Sequence, residues 1–288
     1  MIEISLKSSD LVYLSCSLYE VNNSKAVVQI IPGIKEHKSR YKDFIFLLNS
    51  WGYSVFISDT RGHGRSVSGN YPLGYIDDYQ KLVSDQRILY TYLINRFPNQ
   101  KIYIIGEDIG VDIALNFIQN GDVSISKLVL ISPFRHDKSI DVRLTSAKLM
   151  LKLQNAKKSN PLIQNALGDL HIEKLVKDSN ERNTMLNDNL CNFNYSNMAI
   201  ANFLLLNKGS QAVNKYQNSN KDLPIQILFG ANDELTGGRE GIKGLISLLN
   251  RSGYKRIGNL EYMNMMHSIL FETNKKYVYN DIINFLNM

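Results

Sequence analysis

The stretch KIYIIGEDIGVDIAL, Lys101 to Leu115, decides the fold. Its opening, Ile102 to Ile105, is a short β-branched apolar run of the kind a buried strand carries. Gly106 and Gly110 then bracket Asp108, and Val111 to Gln119 reads as a helix. Strand, Gly-x-nucleophile-x-Gly turn and helix together make an elbow that holds its central side chain on a strained turn above a sheet. That central residue is ordinarily Ser. Here it is Asp.

Outward from the elbow, strands and helices alternate. The pattern predicts strands at Glu3–Leu6, Tyr13–Tyr19, Ala26–Ile31, Ser54–Ser58, Lys101–Ile105 and Lys127–Ser132, with helices at Tyr41–Ser50, Asp77–Arg96 and Val111–Gln119. Such alternation implies a mostly parallel sheet with helices on both faces, after an antiparallel start. From Phe134 to about Lys221 strand runs vanish, Asn and Lys become dense, and apolar residues fall at helical spacing. Strand texture resumes at Pro224–Gly230 and Arg256–Tyr262, with helices at Gly241–Asn250 and Tyr277–Leu286. The expected organisation is a core in two parts, residues 1–133 and 222–288, with a helical cap at 134–221. An insertion placed there lies over the carboxyl ends of the strands, where sites form in open sheets.

Composition narrows the function. Of the 288 residues, 44% are hydrophobic and 21% charged, which is ordinary for a soluble globular chain. The net charge of +6 permits attraction to anionic surfaces, and basic residues outnumber acidic ones in the cap. No basic run interleaved with aromatics occurs, so nucleic-acid binding is disfavoured. The first twenty residues alternate like a strand and lack a charged-then-apolar leader pattern. No apolar run approaches the roughly 18 residues of a membrane span. Cys16 and Cys191 are far apart and without ligand spacing, so they are expected as free thiols in a cytoplasmic protein with no metal or other cofactor.

Three residues suit a nucleophile–acid–base order: Asp108 on the elbow, Asp233 in the turn after ILFG, and His267 after the last strand. Taken singly each has a plain structural explanation, because Asp is a common turn former and a lone His usually packs. Three such residues in this order, each just after a strand, point to a site.

Several segments carry a family resemblance. Pro32 to Tyr41, PGIKEHKSRY, is similar to the HGxxEHxxRY stretch of the monoacylglycerol lipase and lysophospholipase-like branch of the α/β-hydrolases. WGYSV at Trp51–Val55 and DTRGHGRS at Asp59–Ser66 resemble that branch's GYxV and DxRGHGxS segments, and HSILFE at His267–Glu272 resembles its HExxxE ending. The resemblance implies an α/β-hydrolase fold, carboxylic ester hydrolysis on acyl substrates, and oxyanion donors at the backbone N–H groups of Ile34 and Ile109. Departures from the pattern lie at the chemistry. The family's GHSMGG reads GEDIGV at Gly106–Val111, Pro32 replaces the His of the HG pair, and Ser268 replaces the Glu after the His.

A carboxylate attacking an ester would form a reactive anhydride, so Asp108 suits displacement at saturated carbon instead. Epoxide hydrolases and haloalkane dehalogenases of this fold work that way. Dehalogenases hold halide with a Trp beside the nucleophile, and here that neighbour is Ile109. Epoxide opening needs cap tyrosines, for which Tyr195 and Tyr216 are candidates by location. A third alternative is a scaffold that binds a ligand without turnover, its Ser lost or deliberately replaced. Glu107 beside Asp108 would raise the pKa of either if both face one site. The cap is expected to enclose an apolar pocket over the elbow, lined by Phe193, Tyr195, Phe203 and Leu204, for an acyl or other apolar small molecule. Asp141–Lys158 is expected as a cap helix packed on its own core. Its apolar residues and lysines also permit a weak contact with an anionic membrane surface.

Overall fold

The computed structural model describes residues 1–119, 125–136, 138–217 and 220–288. Eight strands form one sheet: β1 (Ile2–Lys7), β2 (Tyr13–Tyr19), β3 (Val27–Ile31), β4 (Ser54–Ser58), β5 (Ile102–Glu107), β6 (Ile125–Ile131), β7 (Ile225–Gly230) and β8 (Ile257–Tyr262). Their order is β1-β2-β4-β3-β5-β6-β7-β8. β1 and β2 pair antiparallel, as do β2 and β4; every other neighbour is parallel. β3, β4 and β5 are buried at every residue, because helices cover both faces and leave no polar side for alternation to report. The chain is thus an α/β-hydrolase-like sheet with an antiparallel start.

α1 (Lys42–Ser50), α2 (Tyr79–Arg96), α3 (Ile109–Gln119), α9 (Gly238–Arg251) and α10 (Lys275–Asn287) flank the sheet. α2 begins where Asp78 accepts the Gln80 N–H, a side-chain cap that satisfies one of the free donors of the first turn. A 3-10 turn at Lys38–Tyr41 precedes α1, so the helix starts one residue later than its apolar spacing suggests. The buried Arg61 guanidinium pairs with Asp10 and Asp85, tying the loop after β4 to both β1's exit and α2.

The elbow differs from expectation at its edges. β5 runs on through Gly106 and Glu107, because these residues pair with Leu130 and Ile131 of β6. α3 starts at Ile109 rather than Val111. Asp108 alone makes the bend, with φ of 56°, in the left-handed region that costs a non-glycine residue about 1 kcal/mol or more. The flanking glycines are obligatory. A Cβ on Gly106 would stand 2.5 Å from Gly110 O, and one on Gly110 would stand 2.2 Å from Ile31 O. α3 can therefore start hard against the ends of β3 and β5 only if both positions lack side chains.

Between β6 and β7 the chain forms α4 (Ser139–Leu153), α5 (Pro161–Gln164), α6 (Ile172–Leu175), α7 (Ser179–Asn187) and α8 (Asn197–Ser210). α8 packs against α2, α3, α4 and α5, which makes it the pivot between this layer and the core. α4 buries only Ile140, Leu144 and Ala147 and leaves Val142, Leu149 and Leu153 exposed. It is less fully packed than its apolar content suggests.

Gly110→Ala is expected to lower stability by about 2 kcal/mol or more, because Ile31 O is backbone and cannot move aside. A denaturant titration reads this as a fall in midpoint. An unchanged midpoint would mean that α3 does not sit on β3 as described.

Candidate active site

Three loops converge at the carboxyl ends of the sheet. Asp108 lies on the elbow after β5, and its N–H donates to Ile131 O at 2.8 Å. Asp233 lies in the turn after β7. Its Oδ1 accepts the N–H groups of Leu235 at 2.9 Å and Thr236 at 3.2 Å, which leaves Oδ2 aimed at the site. His267 follows β8, and Ser132 Oγ–H donates to its carbonyl. The structure brings all three together. His267 Nδ1 is 2.8 Å from Asp233 Oδ2, and Nε2 is 2.8 Å from Asp108 Oδ2.

The imidazole therefore stands between two carboxylates. Burial works against its charged form, but Asp233 and Asp108 outweigh it and hold His267 well above its ordinary value. That shift favours the imidazolium over the neutral ring a general base requires. Burial also pushes Asp108 up, opposed by His267 and by the N–H groups of Ile34 and Ile109. Among the described residues, Asp108 Oδ1 has no partner in hydrogen-bond geometry, so those two N–H groups act on it through their dipoles. The expected oxyanion donors thus face the carboxyl group of the elbow residue itself. Asp108 and His267 are each 2% exposed, and Asp108 Oδ1 and His267 Nε2 are sealed from solvent.

Further acids surround this centre. Tyr41 O–H donates to Glu107 Oε2, and Gly33 N–H donates to the Tyr41 oxygen at 3.1 Å. Burial pushes Glu107 up to about 8, with the charges of Glu36 and Asp108 adding to it and the Tyr41 bond opposing. Burial likewise pushes Glu36 up to about 7, against the Arg40 guanidinium that pairs with it. Glu272 ties the His267 loop to the helical layer. Its carboxylate accepts the N–H groups of Lys177, Asp178 and Met266, while Ser268 N–H donates to Leu175 O.

The aromatic residues expected over the elbow separate into two groups. Tyr195 is fully buried. Its oxygen accepts the Lys35 N–H at 2.8 Å and lies 2.6 Å from His63 Nε2. Phe193 and Phe203 pack edge-on to the Tyr195 ring, and Leu204 is buried in the core on the same helix as Phe203. Tyr216 lies apart from the site: its ring packs on Tyr254 and its hydroxyl donates to Ser210 O. Its place in the sequence gave no sign of this, because location in the cap segment does not say which way a ring faces. Trp51 is half exposed beside Lys25, away from the elbow. Sequence reasoning missed one further grouping: His37, Asp188 and Cys191 meet, with one ligand atom from each within 4.8 Å of the others. No spacing signal could have revealed it, since His37 is some 150 residues from the other two.

The raised acids set a pH dependence of stability. Glu107 has an ordinary value of 4.5 and a folded value of about 8, so the folded chain holds this proton more strongly than the unfolded one. Its contribution is fully present below about pH 4.5 and is lost as pH rises through 8. His267 works in the same direction, its share present below 6.5 and lost as pH rises through its raised folded value. The thermal midpoint should therefore fall between about pH 5 and pH 8. Glu107→Gln should flatten part of that fall, as scanning calorimetry across the range would read. A slope identical in both proteins would remove Glu107 from the account.

Comparison with known proteins agrees with this fold. The sequence profile of the family described as serine aminopeptidase, S33, matches residues 22–274. A monoglyceride lipase homolog of Monkeypox virus is 27% identical over 229 residues, which is 78% of this chain and 77% of that protein. Monoglyceride lipase of Mus musculus is 26% identical over 149 residues, 50% of this chain and 48% of its own length. Among solved structures, a lipase in an open form superposes with a TM-score of 0.87 at 20% identity, covering 99% of this chain and 98% of that one. A soluble variant of monoglyceride lipase from Saccharomyces cerevisiae gives a TM-score of 0.74 at 20% identity, covering 96% and 91%. The structural likenesses speak for the fold alone, whereas the profile spans most of the chain. The sheet, the elbow and the long sequence match together place this chain in the serine aminopeptidase S33 family of α/β-hydrolases.

Proposed function

We propose that this chain is a monoacylglycerol lipase-like or lysophospholipase-like protein that takes an acyl-ester lipid, and that Asp108 keeps it from turning that lipid over by the serine route. One observation carries this reading: the Asp108 carboxyl faces the Ile34 and Ile109 N–H groups on one side and the His267 ring on the other. It stands where a serine oxygen and the developing oxyanion would both be needed. A serine hydrolase requires a neutral His to take the nucleophile's proton, then donors free to receive negative charge. Here the ring is held charged, and the donors already face a carboxyl group. The lipid preference is carried by the named relatives, a monoglyceride lipase and its viral homolog.

An Asp-nucleophile hydrolase would use the same three residues differently. One oxygen of Asp108 would displace a leaving group at carbon, and His267 would then activate water against the resulting ester. That requires a free carboxylate oxygen and room for water beside Nε2. Oδ1 is unpaired but sealed from solvent, and Nε2 is held against Oδ2 at 2.8 Å. The geometry favours the silent form.

The exposed side of α4 extends the lipid reading. Val142, Leu149 and Leu153 are 69, 61 and 80% exposed and stand among Lys148 and Lys152. Apolar residues among lysines suit a weak, salt-sensitive seat on an anionic membrane. No helix of the described residues is long and apolar enough to cross one.

Two measurements test this function. Asp108→Ser should gain hydrolysis of short acyl esters, rising at least roughly a hundredfold over the parent because the oxyanion donors become free. His267→Gln should give no adduct with an epoxide or alkyl halide by intact mass. A silent Ser variant would remove the proposal, and an adduct would replace it with the Asp-nucleophile mechanism. For the membrane seat, Leu149→Ser with Leu153→Ser should weaken sedimentation with anionic vesicles while leaving the thermal midpoint in place. Undiminished sedimentation would exclude α4 as the seat.

A further inference from the structure

Away from Asp108, the fold brings together three side chains of metal-ligating type from two separate parts of the chain. His37 lies in the loop after β3, three residues beyond Ile34. Asp188 and Cys191 lie in the turn that follows α7. One ligand atom from each falls within 4.8 Å of the other two. His37 Nε2 is 2.8 Å from Asp188 Oδ2. The turn is rigidly built: Asp188 O accepts the N–H groups of Cys191 at 2.9 Å and Asn192 at 2.7 Å, and Asp188 Oδ1 accepts Leu190 N–H at 2.8 Å. That last bond fixes the carboxylate's orientation, as a supporting shell does around a metal ligand, and leaves Oδ2 with His37 Nε2 as its partner.

We propose that His37 Nε2, Asp188 Oδ2 and Cys191 Sγ form a binding site for a single zinc ion, which pins the turn after α7 to the loop carrying Ile34. Zinc takes four ligands at roughly 2.0 to 2.3 Å, so ligand atoms around it stand about 3.3 to 3.8 Å apart. To reach that arrangement the 2.8 Å between His37 Nε2 and Asp188 Oδ2 must open and gaps of up to 4.8 Å must close. Imidazole and thiolate select zinc over calcium or magnesium, which prefer oxygen ligands. Cys191 is fully buried and His37 nearly so, while the Asp188 side chain keeps 30% of its surface. That exposed carboxylate is the side from which an ion and a fourth ligand, water, would arrive.

Binding breaks the hydrogen bond between His37 Nε2 and Asp188 Oδ2, leaves the imidazole proton on Nδ1, and replaces the Cys191 S–H bond with a metal–thiolate bond, the thiol proton going to solvent. The two ligand anions then balance the charge of the ion. Two nearby cations would oppose it. Arg40 is already paired with Glu36 and Glu181, and Lys35 Nζ donates to Phe193 O at 2.8 Å. The site is distinct from the Asp108 centre and shares no residue with it, so it stands whatever becomes of the functional reading above.

Cobalt(II) gives the optical test, since a thiolate ligand produces a near-ultraviolet charge-transfer band that zinc then abolishes by displacement. Chelator-treated full-length chain should bind one cobalt ion with that band, and one zinc ion should displace it. Cys16→Ser should leave the band intact. Cys191→Ser should abolish it, and His37→Gln and Asp188→Asn should each weaken cobalt affinity roughly tenfold or more. Should the Cys191 variant fail to fold, the His37 and Asp188 variants decide the matter, with their thermal midpoints checked alongside. Absence of saturable one-to-one binding overturns the proposal. So does a band that persists without Cys191, one that vanishes with Cys16, or an affinity unmoved in both the His37 and Asp188 variants.

Discussion

The pairing of one buried imidazolium with two buried carboxylates is the constraint the rest of the centre obeys. An isolated charge at this depth would be strongly unfavourable; three charges are tolerable only because each has a partner of opposite sign or a backbone donor. His267 has Asp233 and Asp108. Asp233 has the Leu235 and Thr236 N–H groups besides. Asp108 sits at the very start of α3, where the partial positive charge of a helix N-terminus favours an anion. Strands β5, β7 and β8 must end at one level for this to happen, so the parallel register of the sheet is part of the electrostatics.

The neighbouring acids answer the same constraint differently. Glu107 and Glu36 are buried close to Asp108 but cannot all be charged together. Burial raises both, and the Tyr41 O–H and Arg40 guanidinium give each a fixed partner. A region that in an ordinary serine hydrolase carries one triad here carries a wider set of coupled carboxyl groups. Their protons belong to the group as a whole more than to any one residue.

Much of this was legible from sequence, and the limits have physical causes. The elbow could be read because its glycines are forced: a Cβ on Gly106 or Gly110 would meet backbone oxygen at 2.5 or 2.2 Å, which leaves no substitute. The triad order could be read because each member lies in the turn after a run with strand texture. The exact reach of β5 could not be, since Gly106 and Glu107 look like turn residues until β6 pairs with them. The helical layer was legible as helical and little more. Periodicity shows that α4 has apolar positions but not that only one narrow stripe finds a surface to cover. Tyr216 and Cys191 illustrate the same limit from opposite sides. One was expected near the site and packs elsewhere; the other was expected alone and has company. Contacts closed over such long separations leave no local pattern.

Glu272 has a mechanical consequence. One carboxylate grips two backbone donors of the segment between α6 and α7, Lys177 and Asp178, and one donor next to His267, Met266. The helical layer and the histidine loop are thereby yoked. Anything that lifts the segment must either strip Glu272 of two charge-assisted bonds or drag the histidine loop along with it. By reciprocity, whatever reseats the imidazole also biases the layer above it, so access to the centre and alignment within it form a single two-way lever.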